Sequence, residues 1–300
     1  MTAHVSLSEE LPETGLSPGL SAAAASGRQQ RALIGYFVLV LASVGAAALL
    51  VARFPDILPT TLILLLASWL PNMVGVLVTA RADGRAGLGH LFGRVVRWRF
   101  SWYWYAIAVL LPAGAVLLAV SIGVLFGMTA PRFSTDARVL FPLLLINVLA
   151  GPLGEELGWR GTALPRLLAR WGALTSSLLL GVAWWTFHTP GFVLGLFPPG
   201  FTPVGALLGA VALTVLITWM FTNTGGSLIP GSLLHLSINF VTAATGVAES
   251  PPLYALTVAV LVIAAVVVLV FGRRWLTRAH GEAQGWTAGA ARQPLGRTGA

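Results

Sequence analysis

Residues Val139 to Leu164 read VLFPLLLINVLAGPLGEELGWRGTAL, and this segment governs the architecture of the chain. It contains no charged side chain before the pair Glu155 and Glu156. About twenty helical residues are enough to cross the hydrocarbon core of a bilayer. The segment therefore predicts a membrane-spanning helix over 139–164. Charged side chains at bilayer depth cost on the order of 3 kcal/mol each on insertion scales, so the two glutamates need a reason to be there.

The rest of the chain has the same apolar character. Of its 300 residues, 56% are hydrophobic and 9% are charged, whereas a soluble domain carries roughly 25% charged residues. The mean hydropathy is +0.84. This composition argues against a soluble enzyme and predicts an all-α fold, a polytopic membrane helix bundle. The chain has no cysteine, which excludes disulfides, thiol catalysis and thiolate metal sites.

Apolar segments separated by turn signals predict about eight transmembrane helices. We place them at 33–52, 60–79, 103–126, 139–164, 172–188, 204–221, 228–242 and 253–272. Residues 1–32 lack an apolar period and are predicted to be a disordered N-terminal tail. Residues 33–272 form the predicted transmembrane domain, and 273–300 are predicted to be a disordered basic C-terminal tail.

The positive charges predict the orientation of these helices, because cytoplasmic loops collect arginine. All eighteen basic residues are arginine. With both termini cytoplasmic, the following fall on or beside the inner side: Arg28, Arg31, Arg81, Arg85, Arg94, Arg97, Arg99, Arg160, Arg166, Arg170, Arg273, Arg274, Arg278, Arg292 and Arg297. Only three fall outside: Arg53, Arg132 and Arg138. We therefore predict an even number of spans with the N- and C-termini cytoplasmic. The charge is interpreted as a record of orientation in the lipid bilayer, and no nucleic-acid partner is expected.

Ionisable groups are rare inside the predicted spans. Of ten acidic residues only Glu155 and Glu156 lie within a span, and of five histidines only His188 and His235 do. On a helix Glu156 and Arg160 share a face, which leaves Glu155 about 100° away and able to take a proton from water. A purely structural salt bridge at the inner interface is an equally open interpretation of the three charged residues.

Two further helical pairs carry the histidines. Trp184 precedes His188 by one turn, and His235 precedes Asn239 by the same spacing. A lone histidine in a helix is more often a packed residue than a ligand. Two histidines on different spans, beside one acidic pair, favour a shared site. Glu155 and His188 reach the same depth if the chain turns near residue 171.

The three pairs form an ordered pattern: Glu-Glu-x-x-x-Arg, aromatic-x-x-x-His and His-x-x-x-Asn, each on a membrane helix. This pattern resembles the CPBP family of intramembrane metalloproteases, which includes the CAAX prenyl endopeptidases and bacterial proteins linked to bacteriocin processing and self-immunity. The resemblance covers about 60–271. The second motif usually begins with Phe, and Trp184 replaces it here. This exchange keeps an aromatic wall and is expected to matter little.

The resemblance implies that 33–272 is a transmembrane protease domain with its motif core at 139–242. The implied catalytic residues are Glu155, Glu156, Arg160, His188, His235 and Asn239. Glu155 would activate water with help from His188, while Glu156 and Arg160 order the helix. His235 and Asn239 would either stabilise the oxyanion or join in holding a divalent metal. The implied metal ligands are Glu155, His188 and His235, around zinc or another divalent ion.

The expected partner is a membrane-associated peptide or protein substrate, cut from the cytoplasmic side. Arginine in place of lysine, with abundant alanine and glycine, is typical of a GC-rich bacterial genome, so we expect a multi-pass protein of a bacterial cytoplasmic membrane. The sequence leaves the oligomeric state open.

The sequence also bears on other possible functions. His-Glu-x-x-His is absent, and Asp56, Asp83 and Asp136 lie in predicted loops, which excludes two other intramembrane protease chemistries. A proton-coupled transporter could use the same glutamate and histidines as a relay. A non-catalytic immunity or scaffold protein could bind a partner through the same cavity.

Overall fold

The computed structural model describes residues 18–54, 59–131 and 133–271, together with Leu276. These residues form helices joined by turns and short loops, without a strand, which confirms the all-α prediction. The helices are α1 Pro18–Arg53, α2 Thr60–Ser68, α3 Leu70–Gly93, α4 Tyr103–Leu125, α5 Ala137–Ala150, α6 Pro152–Glu156, a π-helix Leu157–Ala163, α7 Leu164–Leu168, α8 Ala173–Val193, α9 Pro203–Asn223, α10 Ile229–Ala244, a 3₁₀ turn Val247–Glu249 and α11 Pro251–Phe271.

The protein is an integral multi-pass membrane protein. Within the described part of the chain, six helices are long and apolar enough to cross a membrane: Ser26–Arg53, Leu62–Gly93, Tyr103–Leu125, Ala137–Leu168, Pro203–Asn223 and Pro251–Val270. Ile229–Ala244 is a shorter apolar helix. Each predicted span overlaps one helix or one series of helices. The span predicted to end at residue 79 is an exception in length, because α3 continues to Gly93 and Asp83 lies within this helix and not in the predicted loop. Eight as the number of membrane crossings, and the cytoplasmic placement of both termini, stay predictions.

The first helix begins earlier than the sequence predicts. Residues 18–32 were expected in a disordered tail, yet α1 starts at Pro18. Pro18 supplies a favourable first helical residue, and the alanines at 22–25 are strong helix formers, so local propensity extends the helix beyond its apolar part. The rest of that tail, and the predicted tail 273–300 apart from Leu276, lie outside the described residues.

The predicted helix over 139–164 is interrupted rather than straight. Helix α5 ends at Ala150, α6 begins at Pro152, and the chain then widens into the π-helix before α7. Proline has no N–H to continue the ladder, which accounts for the break at Gly151. The chain turns at 169–172 before α8, which confirms the predicted turn near residue 171. Single π-helical stretches are frequent at functional sites.

Helix α3 runs alongside the segment from α6 to α7 and supports it. A Cβ at Gly75 would lie 2.8 Å from Oγ1 of Thr162 and 3.0 Å from Cα of Gly158, so the close approach requires glycine. Asn72 hydrogen-bonds to the backbone before and after the two glutamates. Its Nδ2 donates to the carbonyl of Leu153 over 2.6 Å, and its Oδ1 accepts from the N–H of Gly158 over 2.8 Å. A neighbouring helix thus satisfies polar groups that the irregular segment leaves free.

Polar contacts gather several helix ends at one end of the bundle. Arg170, in the turn after α7, donates to Gln30 of α1 over 2.6 Å. The N–H of Leu228, between α9 and α10, bonds to the carbonyl of Arg94 after α3. We call this the arginine end, because it carries the exposed side chains of Arg28, Arg31, Arg81, Arg85, Arg97, Arg99 and Arg170.

The other end of the bundle contains the turn between α8 and α9 and the turn between α10 and α11. The N–H of Gly200, between α8 and α9, donates to the carbonyl of Ala248, between α10 and α11, over 2.8 Å. Gly123 near the end of α4 lies against the side chain of Leu253 near the start of α11. Because successive helices alternate in direction, the ends of α8 and α10 and the starts of α9 and α11 lie together here. We call this the cavity end.

Candidate active site

The middle of the bundle brings the three sequence motifs into contact. Glu155 and Glu156 come from α6, Trp184 and His188 from α8, and His235 and Asn239 from α10. Both glutamates are buried, with exposed fractions of 3% and 2%. The two glutamates nevertheless face different surroundings.

Glu156 is held inside the protein by two cationic or donor groups. Its Oε1 accepts from Nη1 of Arg160 and from Nδ1 of His235, each over 2.8 Å. Arg160 is 1% exposed, lies 4.3 Å above the Trp184 ring and donates to Oγ1 of Thr214 over 3.3 Å. The predicted pairing of Glu156 with Arg160 is therefore confirmed. A buried charge persists when its partners are this close, because its loss of hydration is offset by charge-assisted hydrogen bonds.

Glu155 faces a cavity, and a hydrogen bond holds one of its two carboxylate oxygens. Its Oε2 accepts from Nε1 of Trp184 over 2.6 Å, while Oε1 lies 4.0 Å from Nε2 of His188. Two polar atoms at that separation can share one water molecule. The His188 side chain is 32% exposed, so the water can come from the cavity.

The backbone fixes the tautomer of His188. Its Nδ1 lies 2.8 Å from the carbonyl oxygen of Trp184. A carbonyl can only accept, so Nδ1 carries the proton of the neutral ring. Nε2 then presents a lone pair toward Glu155 and the cavity. His188 therefore offers an acceptor, and a donor only after it is protonated.

Trp184 does more than the sequence predicts. The exchange of phenylalanine for tryptophan was expected to keep only an aromatic wall. The structure shows that the indole N–H is a hydrogen-bond donor to the carboxylate of Glu155, a contact that phenylalanine cannot make. The Trp184 ring also packs edge-on against His235, with ring centroids 5.0 Å apart. Trp184 thus links all three motifs.

His235 and Asn239 point polar atoms toward the break between α5 and α6. A Cβ placed on Gly151 would lie 3.2 Å from Nδ2 of Asn239 and 3.6 Å from Nε2 of His235. Because Gly151 has no side chain, these two nitrogens border open space. Both residues line the same cavity as Glu155. Asn239 can therefore donate to a developing negative charge, and His235 can do so when its ring is protonated.

The cavity has a volume of about 340 Å³ and lies between α5, α8, α9, α10 and α11. Its polar floor is formed by Glu155, His188, His235, Asn147 and Asn239. Its walls are mainly apolar and aromatic. Phe192, Phe197 and Phe201 extend in contact from the α8–α9 turn, and Phe201 packs on Tyr254 with ring centroids 4.5 Å apart. Such a combination of apolar walls and a few converging polar groups is typical of a binding site.

The expected metal set is not assembled as a group. Among the residues that the structure describes, no three His, Asp or Glu side chains come together in a way that could hold a metal ion. Glu155 and His188 are 4.0 Å apart, and Nδ1 of His235 is bonded to Glu156, so only Nε2 of His235 could join them as a ligand. Zinc or another divalent metal at these residues stays a prediction, and no chemical step is derived through it.

Two supporting residues were missed from the sequence. Asn72 bonds to the backbone around the two glutamates, and a polar amide in an apolar span was the available signal. Tyr36 of α1 is fully buried against Trp159, with ring centroids 5.5 Å apart, and its hydroxyl lies beside Gly158. Nothing in the local sequence of α1 distinguishes Tyr36 from other residues of an apolar helix.

Comparison with known proteins finds similarity over the same segment of the chain. Residues 137–241 match the family model described as "Type II CAAX prenyl endopeptidase Rce1-like". The chain is also similar to CAAX prenyl protease 2 of Methanococcus maripaludis, with 26% identity over 173 residues, which cover 52% of this chain and 63% of the relative. The chain thus spans less than two thirds of that relative's length. The matched residues 137–241 make up less than half of the chain and contain all three motifs, and they are similar to the CAAX prenyl endopeptidases.

Proposed function

We propose that the protein is an intramembrane endopeptidase that hydrolyses a peptide bond of a membrane-associated substrate, with Glu155 as the general base. One observation carries the proposal. Glu155 reaches the cavity with one oxygen fixed by Trp184 and the other 4.0 Å from His188. The similarity of residues 137–241 to the CAAX prenyl endopeptidases supports the same reaction class. The relative's name describes a prenyl protease, and that activity is part of the proposal for this chain.

The attack begins with a water molecule between Oε1 of Glu155 and Nε2 of His188. Both atoms accept hydrogen bonds when Glu155 is ionised and His188 is neutral, so the water is oriented by its two hydrogens. Its oxygen forms a bond to the peptide carbonyl carbon while one proton moves to Glu155. The carbonyl π electrons move onto the carbonyl oxygen, which becomes an oxyanion.

The oxyanion is placed beside Asn239 and His235. Nδ2 of Asn239 is a donor at all working pH values, and Nε2 of His235 becomes one when the ring is protonated. Glu156 accepts from the other ring nitrogen of His235 and so orients it. Donors fixed before the reaction stabilise charge that appears only in the transition state.

Collapse of the tetrahedral intermediate completes the reaction. The carbonyl double bond re-forms and the C–N bond breaks. The proton held by Glu155 passes to the leaving nitrogen, so an amine and a carboxylic acid are released and Glu155 is ionised again. In this scheme Glu156 and Arg160 touch no reacting atom, and they are positioning residues.

The test replaces Glu155 by glutamine, which keeps the side-chain size and an oxygen for Trp184 but cannot take a proton. Peptides released from membranes are compared by mass spectrometry in cells that express the wild type or the Glu155→Gln variant. Removing a general base lowers turnover by about 10²–10⁴-fold, so product peptides should disappear. Glu249→Gln, at an exposed glutamate of the cavity end, is the matched control and should retain them.

An unchanged set of peptides in a folded, inserted Glu155→Gln variant would contradict the proposal. The transporter hypothesis is then tested directly. Proton-coupled solute uptake into liposomes that contain the purified protein would support it, whereas cellular immunity that survives the same substitution would support a non-catalytic role.

A further inference from the structure

The described arginines are strongly asymmetric along the bundle. Seven arginine side chains are exposed at the arginine end, and the acidic residue there, Asp83, is buried in a pair with Arg166. At the cavity end two arginines, Arg53 and Arg138, are exposed together with Asp136 and Glu249. The formal charges of these four groups cancel. The excess positive charge of the described residues therefore lies at one end.

The active-site cavity lies in the opposite half. Helices α8, α9, α10 and α11 line it mainly with the half nearer the cavity end, whereas α5 contributes its last residues, beside the break at Gly151. In α8 the lining begins at Trp184 and continues to Phe192, and in α9 it ends at Leu213. In α10 it begins at His235, and in α11 it ends at Leu261. No lining residue comes from the first half of α8, from the part of α10 before His235, or from the last third of α9 or α11.

An aromatic wall connects the cavity end with the catalytic groups. Phe197 and Pro198 of the α8–α9 turn line the cavity, and the Phe197 ring lies 6.2 Å from the His188 ring, centroid to centroid. On the other side of Glu155, the interior is filled by side chains that are at most 2% exposed, those of Glu156, Trp159 and Arg160. A substrate can therefore reach Glu155 along the Phe197 wall, whereas packed side chains separate Glu155 from the arginine end.

Loops and helix ends rich in arginine remain on the cytoplasmic side of a membrane. From the position of the cavity relative to the arginine end, we propose that the active site opens to the non-cytoplasmic side. Its substrate is then a membrane-associated peptide whose scissile bond lies in, or just outside, the non-cytoplasmic leaflet. This replaces the sequence-based expectation of cleavage from the cytoplasmic side. The identity of the ligand as a substrate rests on the proposed function, but the side of access does not.

The absence of cysteine makes the side of access measurable. Thr135, in the loop before α5, is exposed at the cavity end, and Ser101, just before α4, is exposed at the arginine end. Single variants Thr135→Cys and Ser101→Cys are expressed, and intact spheroplasts are treated with a membrane-impermeant maleimide before and after permeabilisation. We expect the Thr135→Cys variant to be labelled in intact spheroplasts and the Ser101→Cys variant only after permeabilisation.

A second matched pair covers the case in which one of these variants fails to insert. Val193 at the end of α8 is 86% exposed, and Val96 after α3 is 71% exposed. Val193→Cys should behave like Thr135→Cys, and Val96→Cys should behave like Ser101→Cys. The reverse pattern in either pair, or labelling of both members in intact spheroplasts, would overturn the proposal.

The same reagent separates this inference from the proposed function. Labelling does not require catalysis, so the pattern should be identical in a Glu155→Gln background. In the active protein, a Phe197→Cys variant treated on intact spheroplasts should lose release of its product peptides. Labelling on the expected side without any peptidase activity would leave the orientation intact and count against the endopeptidase alone.

Discussion

Glu155 and Glu156 are neighbours in sequence and equally buried, but the two sides of the helix that carries them differ. On the Glu156 side the carboxylate meets Arg160 and His235 within 2.8 Å, and packed residues surround the group. On the Glu155 side one neutral donor holds one oxygen, and the other oxygen faces His188 and a cavity. The first arrangement closes Glu156 off inside the bundle, and the second leaves one oxygen of Glu155 facing the cavity, as its proposed role as general base requires.

The difference shows how one residue type performs two tasks at the same depth. A carboxylate that is closed off by charged partners is stable and chemically inert. A carboxylate whose partners are few and neutral keeps the capacity to accept a proton. The bundle provides both because α10 reaches Glu156 while α8 reaches Glu155. Variants on the two sides should therefore fail in different ways.

The largest expected effect is on stability and lies on the Glu156 side. Arg160→Met keeps much of the side-chain volume but leaves Glu156 without its guanidinium. Removing one partner of a buried pair costs about 3–5 kcal/mol, so thermal unfolding in detergent should occur at a markedly lower temperature. The matched control is Arg138→Met, because the Arg138–Asp136 pair is 94% and 55% exposed at 4.0 Å. Exposed pairs contribute at most about 1 kcal/mol.

An equal fall in unfolding temperature in Arg160→Met and Arg138→Met would contradict the distinction between a buried and an exposed ion pair. A folded Arg160→Met variant with full stability would show that Glu156 does not depend on the charge of Arg160.

The next effect is on catalysis and lies on the Glu155 side. Asn239→Leu removes a donor from the place proposed for the oxyanion and keeps a side chain branched at the same carbon. Loss of one such donor lowers turnover by about 10²–10³-fold. The turnover rate should fall while KM and the unfolding temperature stay close to those of the wild type. Asn223→Leu, at the arginine end of α9, is a control for removal of an amide from a helix. A change in KM without a change in turnover would assign Asn239 to substrate binding.

A smaller effect is expected from Trp184→Phe. This change restores the residue usual for the motif and removes the donor to Oε2 of Glu155. A hydrogen bond to a charged group contributes roughly 1.5 kcal/mol, so turnover should fall about tenfold. The positioning role predicts a loss in turnover with KM and unfolding temperature nearly unchanged. Trp171→Phe, in the turn at the arginine end, is the control. Wild-type turnover in Trp184→Phe would show that the indole serves only as an aromatic wall.

Much of the architecture could be predicted from local patterns. Apolar length predicts where helices cross a bilayer because the requirement acts on each segment separately. The pairs Glu156 with Arg160 and Trp184 with His188 follow from helical spacing, since residues four apart share a face. The turn near residue 171 followed from requiring Glu155 and His188 to lie at one depth. None of these inferences needed to know which helices are neighbours in space.

The remaining features depend on neighbours. The donor from Trp184 to Glu155 joins α8 to α6, and the support from Asn72 joins α3 to the π-helix, so no spacing within one helix reveals them. The start of α1 at Pro18 was missed because the prediction followed hydrophobicity, while alanine extends a helix without it. Metal binding at Glu155, His188 and His235 stays a prediction.

The linear order of residues was sufficient for the membrane class, the approximate helix positions and the three motifs, and it predicts the direction in which arginine orients the bundle. These properties arise from composition and from contacts within a few residues. The side chains that touch Glu155, the separation of its role from that of Glu156 and the half of the bundle that holds the cavity follow from the packing of α6, α8 and α10. Those properties depend on distances between segments far apart in the chain, which the order of residues alone does not specify.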